Sequence, residues 1–338
     1  MEIIPIHNQT TIDTEIIEVK QLGWKDDLLR VDLTISNICN YKCWYCYPGC
    51  NTGTIKWPEF NSYVENLSHL LDHYINTTNK KKIDFHIMGG EVTHWKQLPN
   101  FIKYFKEKYD CVFTLTTNAS KNISWWEETY QYLDYVAISV HPQFSNPNHI
   151  REVADFLYEK NVYVVTLVLM DPNDWNKCLD IVDTLKNSKH KWTIRYNEVV
   201  HNTIQYTDSQ RAIIEKQRAR KTNLWYYLRT NKSYNSKVKV IDINGKKKSF
   251  KDNELLLRRM NNFKNWECNV GVDWIAIKND GTVSGICGNG LYENSEVYNL
   301  NDIDFKKKFN PTIVPTICKQ SACWCGFETN MSKRKCKK

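Results

Sequence analysis

Four of the chain's twelve cysteines fall within the short stretch CNYKCWYCYPGC. Cys39, Cys43 and Cys46 form the spacing C-x3-C-x2-C, and Cys50 follows them. Three thiolates on one loop can hold three irons of a cubane [4Fe-4S] cluster and leave the fourth iron open to a ligand that is not protein. Zinc is the alternative, although a structural zinc takes four ligands, commonly from paired C-x2-C units. Because a fourth thiolate would close the open iron, we expect Cys50 to be a packing residue.

The elements that must position this loop follow a regular alternation. Stretches rich in β-branched and aromatic residues predict six strands, at 29–36, 83–88, 111–117, 135–140, 162–169 and 192–197. The segments between and after them have helical period, beginning near Pro58 and then at 96–108, 123–132, 148–160, 174–187 and 208–229. Repeated βα units predict an α/β fold, built either as an open doubly wound sheet or as a closed or partial barrel.

In both architectures the reactive groups lie at the C-terminal ends of the strands. The first predicted strand ends at the cysteine loop, the second at Gly89-Gly90-Glu91 and the third at Thr117-Asn118. The fourth, fifth and sixth strands are followed by side chains that can hydrogen-bond substrate or transfer protons. These candidate catalytic residues are His141, Asp171 and Glu198.

The loop C-x3-C-x-aromatic-C, with Tyr45 as its aromatic residue, resembles the signature of the radical S-adenosylmethionine (SAM) enzymes. Gly89, Gly90 and Glu91 match the GGE motif that this family carries after its second strand. The resemblance covers residues 29–200 and implies a partial (β/α)6 TIM-like barrel. It also implies a [4Fe-4S] cluster whose open iron binds SAM, which is cleaved reductively to a 5′-deoxyadenosyl radical that removes hydrogen from a substrate.

The resemblance further implies roles for single residues. Gly89 and Gly90 would let the backbone approach the methionyl ammonium of SAM, and Glu91 would help to neutralise that charge. Tyr45 would pack near the adenine. The other SAM contacts that the resemblance implies are Thr117, Asn118, Ser139, Leu167 and Val168. An electron donor such as a flavodoxin or a ferredoxin would reduce the cluster.

A second group of cysteines lies towards the C-terminus. VDWIAIKNDGTVSGI predicts a β-hairpin, because apolar residues alternate on both sides of the turn signal Asn279-Asp280-Gly281. Two cysteines flank this hairpin and three follow in ICKQSACWCGFET, a layout similar to the Twitch and SPASM extensions of radical SAM enzymes, which hold auxiliary [4Fe-4S] clusters. Five thiols favour Twitch, with one cluster. The candidate ligands are Cys268, Cys287, Cys318, Cys323 and Cys325.

These five thiols compete for four irons. Cys268, Cys287 and Cys323 are the first choice, and Cys318 is favoured over Cys325 because two ligands in a C-x-C pair strain around one cubane. Four thiolates are also a zinc site, so a structural zinc stays open here. The remaining cysteines are expected to be ordinary thiols; they are Cys111, Cys178 and Cys336.

The predicted organisation has four parts: an N-terminal extension (1–28), the partial barrel (29–200), a connector with a helix and a basic hairpin (201–262), and a small cluster-binding domain of β-hairpin and helix (263–338). The connector hairpin turns at Asn244-Gly245, with VKVID and KSF as its strands.

Composition narrows the class of protein. A chain of 338 residues with 41% hydrophobic residues can bury a large core without disulfides. Its first residues show neither a signal peptide nor a membrane span, so we expect a cytoplasmic protein in which cysteines bind metal or carry out redox chemistry. The net charge of +8 is concentrated at 216–221, 244–251 and 332–338. Such runs are usually solvated faces, and an acidic partner is the alternative.

The sequence therefore favours a radical SAM oxidoreductase or modifying enzyme that acts on a peptide or a small molecule. Relatives with this layout modify ribosomally made peptides, oxidise sugar alcohols or rearrange nucleotides, and the absence of a phosphate-binding loop favours a peptide. A zinc-containing nucleic-acid-binding protein is the alternative of another class. It explains the basic runs but neither GGE nor the six βα units. An electron-transfer protein is a third possibility.

Overall fold

Residues 28 to 198 alternate between strands and helices in the computed structural model. The structure describes residues 15–21, 26–46, 49–199, 204–218, 237–251, 255, 258–284, 297–323, 329 and 331–336. The strands in chain order are β1 (Ile16–Gln21), β2 (Leu28–Thr34), β3 (Lys82–Met88), β4 (Cys111–Thr117), β5 (Tyr135–Val140), β6 (Tyr163–Met170), β7 (Thr193–Glu198), β8 (Lys237–Asp242), β9 (Lys247–Lys251), β10 (Trp266–Cys268), β11 (Trp274–Ile277), β12 (Val283–Ser284), β13 (Thr316–Ile317) and β14 (Lys333–Lys335). The α-helices are α1 (Phe60–Thr77), α2 (Leu98–Lys108), α3 (Ile123–Thr129), α4 (Pro147–Glu159), α5 (Trp175–Lys186), α6 (Asp208–Arg218) and α7 (Phe305–Lys308).

The six strands β2 to β7 lie side by side in chain order and are all parallel. Their alternate residues are apolar and pack under the helices, where Phe85 and Phe113 stack at 4.6 Å between ring centroids. A sheet whose parallel neighbours follow one another in sequence winds in a single direction, as a barrel does. The prediction of an α/β fold with a partial (β/α)6 barrel is therefore confirmed, and the barrel is open.

The first helix shows how the sequence places these layers. The sequence predicts its start near Pro58; the helix begins at Phe60, because the Glu59 side chain accepts hydrogen bonds from the backbone N–H groups of Asn61 and Ser62. Its predicted apolar face is buried, with Leu67, Leu70, Leu71 and Tyr74 fully covered. Each such side chain contributes about 1.5 to 3 kcal/mol by leaving water.

The C-terminal hairpin forms as predicted, but it extends the barrel sheet. Strand β11 pairs in parallel with β2, and β12 pairs with β11, so the sheet order is β12-β11-β2-β3-β4-β5-β6-β7. The buried ammonium of Lys80 donates to Asp273 Oδ1 at 2.5 Å just before β11, and so ties the hairpin to the loop before β3. Strand β2 consequently has a neighbour on both sides.

A second, antiparallel sheet has the order β13-β10-β14-β1-β8-β9. It combines strands from the predicted N-terminal extension, the connector and the C-terminal region. The connector hairpin turns where predicted, with Gly245 at φ +77°, a value that favours glycine. Residues far apart in sequence thus meet in this sheet, while the predicted domain boundaries stay predictions.

Most predicted element bounds lie within two residues of those observed. The strands 111–117 and 135–140 coincide with β4 and β5. The helix predicted at 208–229 is described only as far as Arg218, and the rest of that prediction lies outside the described residues. Within the described part of the chain, none of the helices combines the length and apolar character needed to cross a membrane.

Candidate functional site

The cysteine loop leaves the C-terminal end of β2 and is held there by the end of β3. Ile35 N–H donates to Met88 C=O at 3.1 Å, Gly90 N–H donates to Ser36 C=O at 2.9 Å, and Glu91 N–H donates to the C=O of Ile38 at 2.8 Å. These bonds continue the sheet pairing by several residues beyond both strands. The residue before Cys39 is therefore fixed by main-chain contacts with the GGE segment.

The returning limb of the loop is anchored by Asn37, which is buried. Its amide nitrogen lies 2.9 Å from Gly49 C=O and 2.8 Å from Thr52 Oγ1. Its amide oxygen accepts from Ile55 N–H at 2.8 Å. One side chain thus closes the base of the loop. Sequence reasoning missed Asn37; the available signal is a polar amide directly after the apolar strand and just before the first cysteine.

The three loop thiols lie close enough to act on one another electrostatically. Burial raises the pKa of Cys43 to about 12, and the thiols of Cys39 and Cys46 act in the same direction. Burial also raises the pKa of Cys39. Neighbouring thiols that resist ionisation in the protein alone become thiolates when a bound metal supplies positive charge. The donor set therefore fits an iron–sulfur cluster, whose iron ions supply that positive charge.

The alternative to a cluster is a site for a single metal ion. Within the described ranges, no three His, Cys, Asp or Glu side chains converge closely enough to hold one metal ion. A mononuclear zinc needs such convergence. A cubane needs less convergence of its ligands, because its thiolates bind different irons. Cys50, which is half-buried, lies on the returning limb of the loop.

The two glycines of GGE are required by packing. A Cβ on Gly90 would stand 2.1 Å from Ile38 O, and one on Gly89 would stand 2.6 Å from Ser36 O. Gly89 also has φ +151°, which few other residues adopt. The glycines therefore let the end of β3 touch the backbone of the cysteine loop. Their predicted approach to the SAM ammonium stays a prediction.

Glu91 joins the ends of β3 and β4. Its buried carboxylate accepts from Thr93 N–H, Thr93 Oγ1–H and Thr117 Oγ1–H at Oε1, and from Asn118 N–H at Oε2. Asn118 in turn donates from Nδ2 to Asn40 Oδ1 at 2.8 Å, inside the cysteine loop. Glu91, Thr117 and Asn118 are thus brought together beside the loop. The predicted role of Glu91 in balancing the SAM charge is untested.

His141 lies against the cysteine loop. Its Nδ1 is 3.3 Å from Cys43 Sγ and 3.1 Å from the Tyr45 hydroxyl, and its ring stacks on that of Tyr45 at 5.9 Å. Burial lowers the pKa of His141 to about 4, so the ring is neutral near pH 7. Burial raises the pKa of Tyr45, which keeps its hydroxyl protonated. These two rings cover Cys43, and the predicted catalytic role of His141 stays a prediction.

Asp171 and Glu198 occupy the ends of β6 and β7. Asp171 is buried and its Oδ1 accepts from Asn173 N–H at 3.0 Å, which caps the following turn. Glu198 is half-buried beside Val199, whose N–H donates to the Tyr206 hydroxyl at 2.7 Å. Both acids therefore lie at the predicted edge of the sheet, Asp171 with a structural contact of its own.

The remaining predicted SAM contacts divide between the two faces of the sheet. Ser139 and Leu167 are paired in register on β5 and β6 and are both half-buried on the face away from the helices. Val168 is fully buried in the core under the helices. Because successive side chains of a strand point to opposite faces, the structure does not bring Val168 to the site with Leu167.

Three of the C-terminal cysteines lie in or next to the second sheet. Cys268 ends β10, Cys318 follows β13, and all of Cys268, Cys318 and Cys323 are buried. Burial raises the pKa of Cys268, and the thiols of Cys323 and Cys318 add to that increase. The predicted ligands Cys287 and Cys325 lie outside the described residues. The choice of a fourth ligand therefore stays a prediction.

No protein-family model matches the chain, and no curated protein does. Among solved structures, native anSMEcpe with bound AdoMet is 14% identical over 85% of this chain and 83% of its own, with a TM-score of 0.47. A polyhistidine-tagged anSMEcpe with bound AdoMet is 14% identical over 85% and 80%, with a TM-score of 0.45. BtrN in complex with AdoMet and 2-DOIA is 12% identical over 83% of each chain, with a TM-score of 0.38.

Each of these three solved structures contains AdoMet. Identities of 12 to 14% with TM-scores below 0.5 are likenesses of overall fold and say nothing about individual residues.

Proposed function

We propose that this chain is a radical SAM enzyme, with a [4Fe-4S] cluster on Cys39, Cys43 and Cys46. The observation that carries the proposal is the placement of these three interacting thiols on a loop at the C-terminal end of the first of six parallel strands. The GGE segment packs directly against that loop. A three-thiolate loop leaves one iron for SAM, as the proposed reaction requires.

When bound, the cluster and SAM supply the radical chemistry, and the protein supplies binding, orientation and exclusion of water. The loop holds the thiolates. Tyr45 and His141 cover Cys43 and keep water from its sulfur. Glu91 and Asn118 fix the ends of two strands against the loop. Together these contacts hold one geometry before any substrate arrives.

The face of the sheet away from the helices supports a polar substrate. Arg30 Nε donates to Asp32 Oδ1 at 2.8 Å, and Arg30 Nη2 lies 2.8 Å from His86 Nδ1. On the other side of the ring, His86 Nε2 lies 2.9 Å from Thr116 Oγ1. A barrel interior with this polar network suits a peptide or a sugar alcohol better than an apolar molecule.

The proposal extends to an auxiliary [4Fe-4S] cluster at Cys268, Cys318 and Cys323, with a further cysteine as the fourth ligand. The burial of these thiols and the electrostatic effect of Cys323 and Cys318 on Cys268 support it. Such a cluster would take up the electron left after hydrogen abstraction, which makes an oxidative modification the proposed reaction. A flavodoxin or a ferredoxin is the proposed electron donor for the first cluster.

SAM cleavage tests the proposal directly. We expect the anaerobically reconstituted chain to bind about eight irons and, after reduction with SAM, to release 5′-deoxyadenosine. Alanine at Cys39, Cys43 or Cys46 should abolish this product while leaving the auxiliary irons in place. Cys111→Ala is the matched control, because this buried thiol donates to the C=O of Phe105, away from the loop.

The outcomes separate the alternatives. Zinc without iron would support the nucleic-acid-binding protein and defeat the proposal. Iron without 5′-deoxyadenosine from the unaltered chain would support an electron-transfer protein. About four irons with full SAM cleavage would retain the radical SAM function and remove the auxiliary cluster.

A further inference from the structure

One lysine of the basic tail is buried. The run SKRKCKK predicts a solvated segment, and Arg334 and Lys335 are indeed exposed. Lys333 is only 3% exposed. It lies on β14 directly opposite Cys268 of β10, in the antiparallel register of the second sheet. One cation of the tail, Lys333, is therefore buried beside the C-terminal thiols.

The ammonium of Lys333 lies beside a cysteine sulfur, a backbone carbonyl and an aromatic ring. Lys333 Nζ lies 3.8 Å from Cys323 Sγ and donates to Thr329 C=O at 3.2 Å. It also lies 4.3 Å from the centroid of the Phe263 ring, whose face attracts cations. The positive charge of the lysine therefore lies directly beside one of the proposed cluster ligands.

A buried cation is costly unless negative charge lies beside it. A thiolate-bound iron–sulfur cluster is negatively charged, and each one-electron reduction adds one further negative charge. Hydrogen bonds and charges near the sulfurs are among the groups that set the reduction potential of such clusters. Lys333 is in position to supply both to Cys323.

We propose that Lys333 is the charge partner of the auxiliary cluster and stabilises its reduced state, so that the cluster accepts an electron more readily. The inference rests on the proposed function for the presence of that cluster. The inference assigns one residue of the basic tail a role in electron transfer to the auxiliary cluster. Lys333 would act through the thiolate ligands, as a positioning residue that does not touch substrate.

The test is a redox titration of the full chain, reconstituted anaerobically and followed by EPR spectroscopy. Lys333→Met keeps the length and apolar stem of the side chain and removes the charge, whereas Lys333→Arg keeps the charge. Lys335→Met is the matched control, because it removes an exposed lysine from the same strand. The SAM cluster of the same molecule is an internal reference.

We expect Lys333→Met to lower the ratio of reduced to oxidised auxiliary cluster, at a fixed potential, by about tenfold or more, since a unit charge a few ångströms away acts strongly at a buried site. Lys333→Arg and Lys335→Met should stay near the unaltered ratio, and the SAM cluster should not change. Loss of only the auxiliary irons in Lys333→Met, with retention in Lys333→Arg, would also support the proposal.

An unchanged ratio of reduced to oxidised auxiliary cluster in Lys333→Met, or an equal change in Lys335→Met, would overturn the proposed role of Lys333. Either result would leave the proposed function intact. Loss of both clusters in Lys333→Met would show that the lysine serves folding, and would also overturn the proposed role. About four irons in the unaltered chain would instead remove the auxiliary cluster, and the inference with it.

Discussion

The close contact between the GGE segment and the cysteine loop makes Gly90→Ala an informative substitution. The added Cβ would stand 2.1 Å from Ile38 O and 2.5 Å from Ile38 C, both backbone atoms that cannot rotate away. The loop must therefore move. Such a movement breaks the bonds from Gly90 N–H to Ser36 C=O and from Glu91 N–H to Ile38 C=O.

The cost follows from these contacts. Two main-chain hydrogen bonds contribute about 1 kcal/mol each, and overpacking costs about 1 to 3 kcal/mol. We therefore expect Gly90→Ala to lower the free energy of unfolding by about 3 to 5 kcal/mol, a large part of the stability of an ordinary domain. Because the displaced residue precedes Cys39, the variant should also bind less iron at the first cluster.

Urea unfolding and iron content per chain measure the two effects. Gly53→Ala is the control: it lies in the same loop, but nothing stands within 4 Å of its added Cβ. Its φ of +75° limits the cost to about 1 to 2 kcal/mol, without displacing the cysteines. If Gly90→Ala were as stable and as iron-rich as Gly53→Ala, the packing explanation of GGE would be wrong.

Three further predictions concern the same region. Glu91→Gln places an amide donor among four donors and should lower the free energy of unfolding in urea by about 1 to 3 kcal/mol. The exposed control Glu127→Gln should leave this free energy almost unchanged. Equal losses in the two variants would contradict the linking role of Glu91. Cys50→Ala should retain first-cluster iron and 5′-deoxyadenosine release, which Cys46→Ala should lose, and loss in both would make Cys50 part of the site. Burial raises the pKa of Asp32, but Arg30 and then His86 outweigh it, so that the pKa lies below its ordinary value of 3.8. A carboxyl whose folded-state pKa is lowered stabilises the fold above its unfolded-state pKa, and this stability is lost as pH falls through the folded-state pKa. Asp32→Asn should therefore make the free energy of unfolding fall less steeply with decreasing pH below about pH 4. An unchanged pH dependence in this range would refute the explanation.

The sequence predicts the elements well because their information is local. Apolar periodicity predicts β4 and β5 without error, and the strand ends coincide with the residues that now surround the cysteine loop. What it cannot predict is contact between distant segments. The parallel pairing of β11 with β2 depends on tertiary packing, and no periodicity within either strand encodes it.

The single residues show the same limit. Glu91 is recognisable from its motif, but its four donors come from Thr93, Thr117 and Asn118, two of them on a different strand end. Lys333 appears in the sequence as one lysine of a solvated tail, whereas in the structure it is paired with Cys268 and is buried. Composition describes a segment as a whole, whereas burial is decided residue by residue.

The parallel pairing of β11 with β2 also affects how the protein is made. During synthesis β2 emerges early, while Ile277, the partner of Leu33, emerges only after most of the chain. Until then the strand that carries the cysteine loop has one bare edge, and bare edges invite association between chains. Long-range pairing of this kind also slows folding. We therefore expect ribosome-bound or C-terminally truncated chains to need chaperone protection, and iron to be loaded stably only after the last third of the chain has been synthesised.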